Sequence, residues 1–219
     1  GNTANKTAKA RTIDEIKKAG KIKIGVFSDK NPFGYVDENG KVQGYDVYFA
    51  KRIAKDLLGS EDAVDFVYLE AASRVEYLKS AKVDITLANF TVTDERKEQV
   101  DFALPYMKVA LGVVSPEKAT IKDVKDLKGK KLIVVKGTTA ETYFSKNYPD
   151  FFLGPFVALS QKDQLPRLEE PERLSAHLFS GDLLQGPAVR LQLRAVLLSP
   201  GRRPGPGDPV ALEVHHRDA

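Results

Sequence analysis

The sequence predicts an α/β protein built on a parallel sheet with crossover helices, and three observations point there. From residue 12 onward, strand-like and helix-like segments alternate in the order β, α, β, α, β. Two apolar runs, at residues 83–88 and 131–135, pass straight into polar turns rich in Thr, where open α/β sheets keep their sites. The chain also has 219 residues, enough for one large or two small domains with a sizeable core.

The opening GNTANKTAKA is polar, small and basic and reads as a flexible leader over residues 1–11. Thr12 and Glu15 form a capping box for a short helix that Gly20 closes. Residues 21–26, KIKIGV, alternate and read as a strand. Asn39-Gly40 marks a tight turn. The run at 42–46 leads into a helix with Val47, Ala50, Ile53, Ala54 and Leu57 on one face, ended by Gly59. Residues 64–69 are a second strand. Ser73 and Glu76 read as another capping box, followed by a strand at 83–88.

Beyond these lie an apolar strand at 107–114 and a short amphipathic helix through Ile121, Val124 and Leu127, ended by Gly129. A strand at 131–135 runs into KGTTAE. There Gly137 permits a sharp turn, and Thr138 with Glu141 reads as a third capping box. The free N–H groups and dipole of that helix start suit an anion, although helix capping alone also explains the pattern.

Residues 87–106, LANFTVTDERKEQVDFALPY, carry the densest candidate chemistry. Asn89, Thr91 and Thr93 precede Arg96, a compact donor set for a small anion. Hydroxyls give directed hydrogen bonds and a guanidinium can hold a carboxylate bidentately. The plain alternative is a polar loop with a solvated arginine.

Composition narrows the classes. The chain has no Cys, which excludes disulfides and thiolate chemistry. No run of 18 apolar residues suggests a membrane-spanning helix, and no signal-peptide pattern starts at Gly1. A net charge of +4 is too small to argue for nucleic acid. Residues 12–150 hold no His and no visible nucleophile–base pair, and no cofactor is implied.

The average hides a break. Residues 1–150 carry 22 of the 23 Lys, all 8 Ile and all 8 Tyr, whereas 151–219 hold 8 of the 12 Pro, 7 of the 11 Arg and all three His. The two parts are different kinds of sequence.

Three segments taken in order, GVFSDKNPFGYVDENGKVQGYDVYFAKRIAKDL, LKSAKVDITLANFTVTDERKEQVDFALPY and DLKGKKLIVVKGTTAETYF, resemble the polar-amino-acid-binding receptors of bacterial ABC importers, solute-binding protein family 3. The likeness covers roughly residues 12–150 and looks nearest to the cysteine-receptor branch. It implies the two-lobed α/β fold of periplasmic binding proteins, type II, with lobes that close on one amino acid. Lobe one would span residues 12–113 and the first part of lobe two 114–150. The second lobe would be incomplete or replaced after about residue 150. The receptor would sit in the periplasm or on a lipid anchor, act as a monomer and deliver its ligand to membrane permease subunits, without nucleic acid.

By position, the resemblance assigns Arg96 to the ligand's α-carboxylate and gives Thr91 a hydroxyl or amide contact. The Asn89 backbone carbonyl would meet the α-ammonium, and Thr138 and Thr139 would meet the carboxylate from the second lobe. Lys30 and Phe33 match positions near the ligand side chain, with a solvated lysine as the plainer reading of Lys30. Arg74 is either pocket-lining or a salt-bridged surface group. Phe33 and Phe90 form an aromatic wall or belong to the core, and Tyr106 packs at the crossing between lobes.

The family's α-ammonium-binding Asp is expected near position 177, where this chain has His177; the nearest Asp is Asp182. Residues 189–198 read as a strand or short helix, and the Pro- and Gly-rich 200–209 as neither. His215-His216 is too sparse for a metal site. The composition of 151–219 reads as a frameshift, a chimeric join or a sequence error near residue 150.

Two functional alternatives stand beside the receptor. One is a dehydratase of the same fold acting on a small carboxylate, which needs a general acid such as Glu70 or Glu76. The other is a binding-defective variant, disabled by the aberrant tail.

Overall fold

The parallel sheet expected from the β, α, β, α, β order is present, with its first strand at the centre. The computed structural model describes residues 8–116 and 119–150 and, beyond them, the strands Val157–Leu159, Leu174–Leu178 and Val210–His216. The chain divides into two units, Gly1–Pro105 and Tyr106–Ala219. The division precedes the whole of the strand Lys108–Pro116.

The first unit opens with α1 (Ile13–Ala19), whose Thr12–Glu15 capping box is formed in both directions. Gly20 ends it in the left-handed region at φ 73°. Strand β1 (Ile22–Val26) pairs in parallel with β5 (Val64–Tyr68) on one side and β6 (Ile85–Thr86) on the other. Its sequence alternates, yet Ile22, Ile24, Gly25 and Val26 are all buried. A central parallel strand is covered on both faces, so the period seen in the sequence is not the burial pattern.

Three short strands were not legible. They are β2 (Asp29–Lys30), β3 (Gly34–Val36) and β4 (Val42–Gln43), an antiparallel sheet in the order β2-β3-β4. Two- and three-residue strands have no period to read. The Asn39-Gly40 turn between β3 and β4 is formed as expected, with Gly40 at φ 76°. The Asp37 carboxylate accepts from Lys41 N and Asn39 N at 2.8 and 2.9 Å, and these bonds hold its pKa below the usual carboxylate value.

This small sheet also starts α2 (Tyr45–Leu58). The carbonyls of Pro32 and Phe33 accept from Tyr45 N and Asp46 N, each at 2.9 Å, so no side-chain cap is needed. Gly44 sits at φ 120°, and a Cβ there would lie 2.1 Å from Phe33 O. Only glycine fits. The helix buries Val47, Ala50 and Ala54, and Ile53 and Leu57 are half-buried, which matches the predicted face.

The expected Ser73–Glu76 capping box is absent. Ser73 ends a short 3-10 turn, Ala71–Ser73, and has helical backbone angles, φ −96° and ψ −4°. A capping side chain needs an extended residue, so the Ser73 hydroxyl lies 3.4 Å from Glu70 O and makes no cap bond to α3 (Arg74–Lys79). Strand β6 is shorter than the run at 83–88, although Val83, Leu87 and Ala88 are buried beside it. Between them Asp84 is gripped by Arg11, with Nε at 2.8 Å and a second, shorter bond from Nη2. Lys23 N donates to the same carboxylate at 2.7 Å.

The second unit is organised on β7 (Lys108–Pro116), in a sheet of order β10-β7-β11-β8-β9. β8 is Ile133–Val135, β9 Val157–Leu159, β10 Leu174–Leu178 and β11 Val210–His216. β10 and β11 run antiparallel to β7, and β8 is parallel to both β11 and β9. His177 stands opposite Val113, and His215 and His216 opposite Val109 and Lys108. Asp182 and residues 189–198 and 200–209 lie outside the described residues.

The predicted helix around Ile121 is a 3-10 turn, Val124–Leu127, capped by Asp123 in a box with Asp126. Ile121 precedes the cap, and its N–H goes to the Ser115 hydroxyl at 3.0 Å. A core of Val113, Ile121, Leu127, Leu132, Val134, Ala140 and Phe144 lies beneath α5 (Thr139–Asn147).

Candidate functional site

In the first unit the site residues gather where β6 stops. Asn89 has φ 49°, a left-handed turn that Asn tolerates better than most residues. Thr93 is extended and caps α4 (Asp94–Lys97), its hydroxyl accepting from Arg96 N at 3.2 Å. Thr93 therefore serves as a helix cap through its hydroxyl oxygen, a role the donor-set reading had missed.

Arg96 is half-buried, not loosely solvated. Its Nη1 donates to Thr91 O at 2.7 Å, and its guanidinium carbon lies 4.6 Å from the Phe90 ring centroid. A cation over an aromatic face gains about 0.5–2 kcal/mol, more as water is excluded. The fork is thus held by a ring and a carbonyl. Phe90 packs in turn on Phe102, with centroids 5.3 Å apart.

Arg74 settles one alternative. It is 2% exposed, so it is not a surface group. Its Nε donates to Ala71 O at 3.0 Å, and Nη1 to Ala88 O and Asn89 O at 3.0 and 2.9 Å. The Asn89 carbonyl expected to face an ammonium already accepts from Arg74, and a carbonyl oxygen has two lone pairs. The Asn89 Oδ1 atom is buried with no hydrogen-bond partner among the described residues. A buried acceptor of that kind suits a donor from outside the protein.

Lys30 is paired rather than solvated. Its Nζ lies 3.0 Å from Asp29 Oδ2 and 5.4 Å from the Phe27 ring centroid. Phe33 is buried, at 8% exposed. Phe27 was missed in the sequence. It follows β1 directly, is buried, and lies 5.7 Å from the Arg74 guanidinium carbon. An aromatic at a strand end next to the candidate loop was the available signal.

In the second unit Gly137, at φ 78°, makes the sharp turn out of β8. Thr138 caps α5 by accepting from Glu141 N at 3.4 Å. Its own hydroxyl proton goes to Val135 O at 2.6 Å. The return bond differs from the expected box: Glu141 Oε2 accepts from Gly137 N at 2.6 Å, one residue before the cap. Thr138 is therefore committed to the turn, whereas the Thr139 hydroxyl oxygen is buried with no partner among the described residues. Of the two threonines, Thr139 has the hydroxyl to offer. Tyr106 is the first residue of this unit and half-buried. Among the described residues no group of acids or histidines could hold a metal ion, and no helix is long and apolar enough to cross a membrane.

The family of bacterial extracellular solute-binding proteins, family 3, matches residues 22–192, a span that passes the compositional break. The glutamine-binding protein of Geobacillus stearothermophilus is 34% identical over 146 residues, covering 66% of this chain and 56% of that protein. Two solved structures are similar over most of the chain. The cysteine-binding protein of Campylobacter jejuni has 45% identity and a TM-score of 0.67, covering 92% of this chain and 66% of its own. The solute receptor for L-cysteine of Neisseria gonorrhoeae has 46% identity and a TM-score of 0.69, covering 93% and 68%. The chain spans about half the length of the curated relatives it matches. Its α/β fold is that of the type II periplasmic binding proteins. By matched span and by fold, the chain belongs to the bacterial extracellular solute-binding proteins, family 3.

Proposed function

We propose that this protein captures a small polar amino acid, cysteine first, outside the cytoplasm and passes it to the permease of an ABC importer. The observation that carries the reading is Arg96, fixed at a strand-to-helix junction by the Phe90 ring and the Thr91 carbonyl. A guanidinium held this way loses little freedom when a carboxylate docks on it. In the first unit Arg96 takes the α-carboxylate, Thr91 adds to it and Asn89 takes the α-ammonium; in the second unit, taken by itself, Thr139 has a buried hydroxyl able to donate. Lys30, Phe33 and Phe90 shape the side-chain end, and Thr138 acts through the helix start. Cysteine is preferred because the two cysteine-binding structures are 45% and 46% identical, against 34% for the glutamine-binding relative.

The protein works as a monomeric carrier in the periplasm or on a lipid anchor, and it returns its ligand unchanged. The composition of residues 151–219 is that of a frameshift, a chimeric join or a sequence error near residue 150, which DNA sequencing across that codon checks.

A thermal-shift screen of the full chain against all amino acids and cystine tests the reading. L-cysteine under reducing conditions should add about 2.7 kcal/mol of stability at a hundredfold excess over its dissociation constant. No shift with any amino acid would overturn binding. A larger shift with glutamine would overturn the choice of cysteine.

A further inference from the structure

We propose that Arg74 is the positioning residue of this site, a buried strut that holds residues 88–90 and, through the Phe90 ring, sets where the Arg96 guanidinium stands. The affinity part of this inference rests on Arg96 as the carboxylate anchor; the geometric part does not.

Arg74 begins α3 and is 2% exposed. A charge buried that far is costly unless its N–H groups are satisfied. The bonds seen here run to main-chain carbonyls, at Ala71 within the preceding turn and at Ala88 and Asn89. Ala88 and Asn89 lie beyond the paired residues of β6. One planar group therefore ties α3 to the end of that strand where the sheet no longer does so.

The same plane continues the chain of contacts. The Arg74 guanidinium carbon is 4.8 Å from the Phe90 centroid, and that of Arg96 is 4.6 Å from the same ring. Phe90 follows Asn89, whose left-handed backbone aims the ring. Arg74 fixes the turn, the turn fixes Phe90, and Phe90 carries Arg96. Lysine cannot replace it, because an ammonium is a point charge without a fork or a stacking plane.

The test is side-chain NMR of the arginine Nε–Hε groups in the ligand-free full chain, comparing the parent, Arg74→Lys and Phe90→Leu. A proton near an aromatic face resonates upfield. The Arg96 signal should be upfield in the parent and lose that displacement in both variants. An Arg96 signal in folded Arg74→Lys identical to the parent's would overturn the proposal. Should Arg74→Lys fail to fold by circular dichroism, Phe90→Leu decides: Arg74 and Arg96 signals that do not move overturn it, and joint movement supports it.

Titration with L-cysteine gives the second readout. Arg74→Lys should bind about tenfold more weakly, the factor for one lost cation–π contact of ordinary size. Parent affinity in folded Arg74→Lys would overturn the affinity claim. Parent affinity in Arg96→Gln would instead overturn the anchor reading, and the NMR result would still decide the strut.

Discussion

The two units both lead a strand into a threonine-capped helix, yet they differ in what stands beside the cap. In the first, Thr93 caps α4, and Arg96 lies over Phe90 with a tether to Thr91 O. In the second, Thr138 caps α5, and the additional group is one buried hydroxyl on Thr139. A cap by itself is helix chemistry. A cationic fork with a built support behind it has the chemistry to hold a carboxylate. The units differ as well in where their strands come from. The sheet β5-β1-β6 uses segments within residues 22–86, whereas β7 is flanked by β10 and β11, from residues 174–178 and 210–216.

The largest effects should come from the two cores. Phe144, fully buried, anchors the second unit, and Phe144→Ala should cost about 3–5 kcal/mol; Ile24→Ala in the centre of the first sheet should cost about 2–5 kcal/mol. Urea titration measures both. Tyr143 and Tyr148 lie 5.2 and 6.2 Å from Phe144, so the near-ultraviolet tyrosine signal should follow the first variant. An unchanged transition would mean that the core around Phe144 is misassigned.

Next come two glycines with positive φ, one from each unit. Gly44→Ala should cost on the order of 3 kcal/mol, since strain and a clash with Phe33 O combine. Gly129 has φ 73° but nothing within 4 Å of an added Cβ, so Gly129→Ala should cost only about 1 kcal/mol. Equal denaturation midpoints would show that the close approach of Phe33 O to position 44 is not rigid.

What could be read from the sequence follows the same division. Thr12–Glu15, the Asn39-Gly40 turn, the α2 face and Thr138 are local signals, and each formed its element or cap. Ser73 failed because the 3-10 turn before it gave it helical angles, which its type and spacing do not encode. Arg96 was legible through the donors around it. The roles of Phe27 and Arg74 were not, since they depend on contacts between β1, α3 and the end of β6. Strand partners as distant as β7 and β11 leave no local pattern at all.

A smaller, pH-dependent effect belongs to the first unit. Burial alone would raise the Asp84 pKa, but the Arg11 and Lys23 bonds outweigh it and hold the carboxyl below its usual value. Its stabilisation is therefore present above the unfolded-state value of about 3.9 and is lost as pH falls through the lower folded value. Arg11→Gln should remove roughly 1–2 kcal/mol at neutral pH and flatten the acid limb of the stability curve, as urea titrations at several pH values would show. The smallest pair is Thr12→Ala and Thr138→Ala, about 1 kcal/mol each. Thermal melts that separate them widely would show that one cap does more than close its helix.

The most direct test of the central claim is calorimetric titration of the full chain and of Arg96→Gln with L-cysteine. The parent should show saturable binding at one site. Arg96→Gln should lose about 2–5 kcal/mol of it, roughly thirtyfold or more. Equal affinity in the two proteins, or no binding of any amino acid by the parent, would contradict the account.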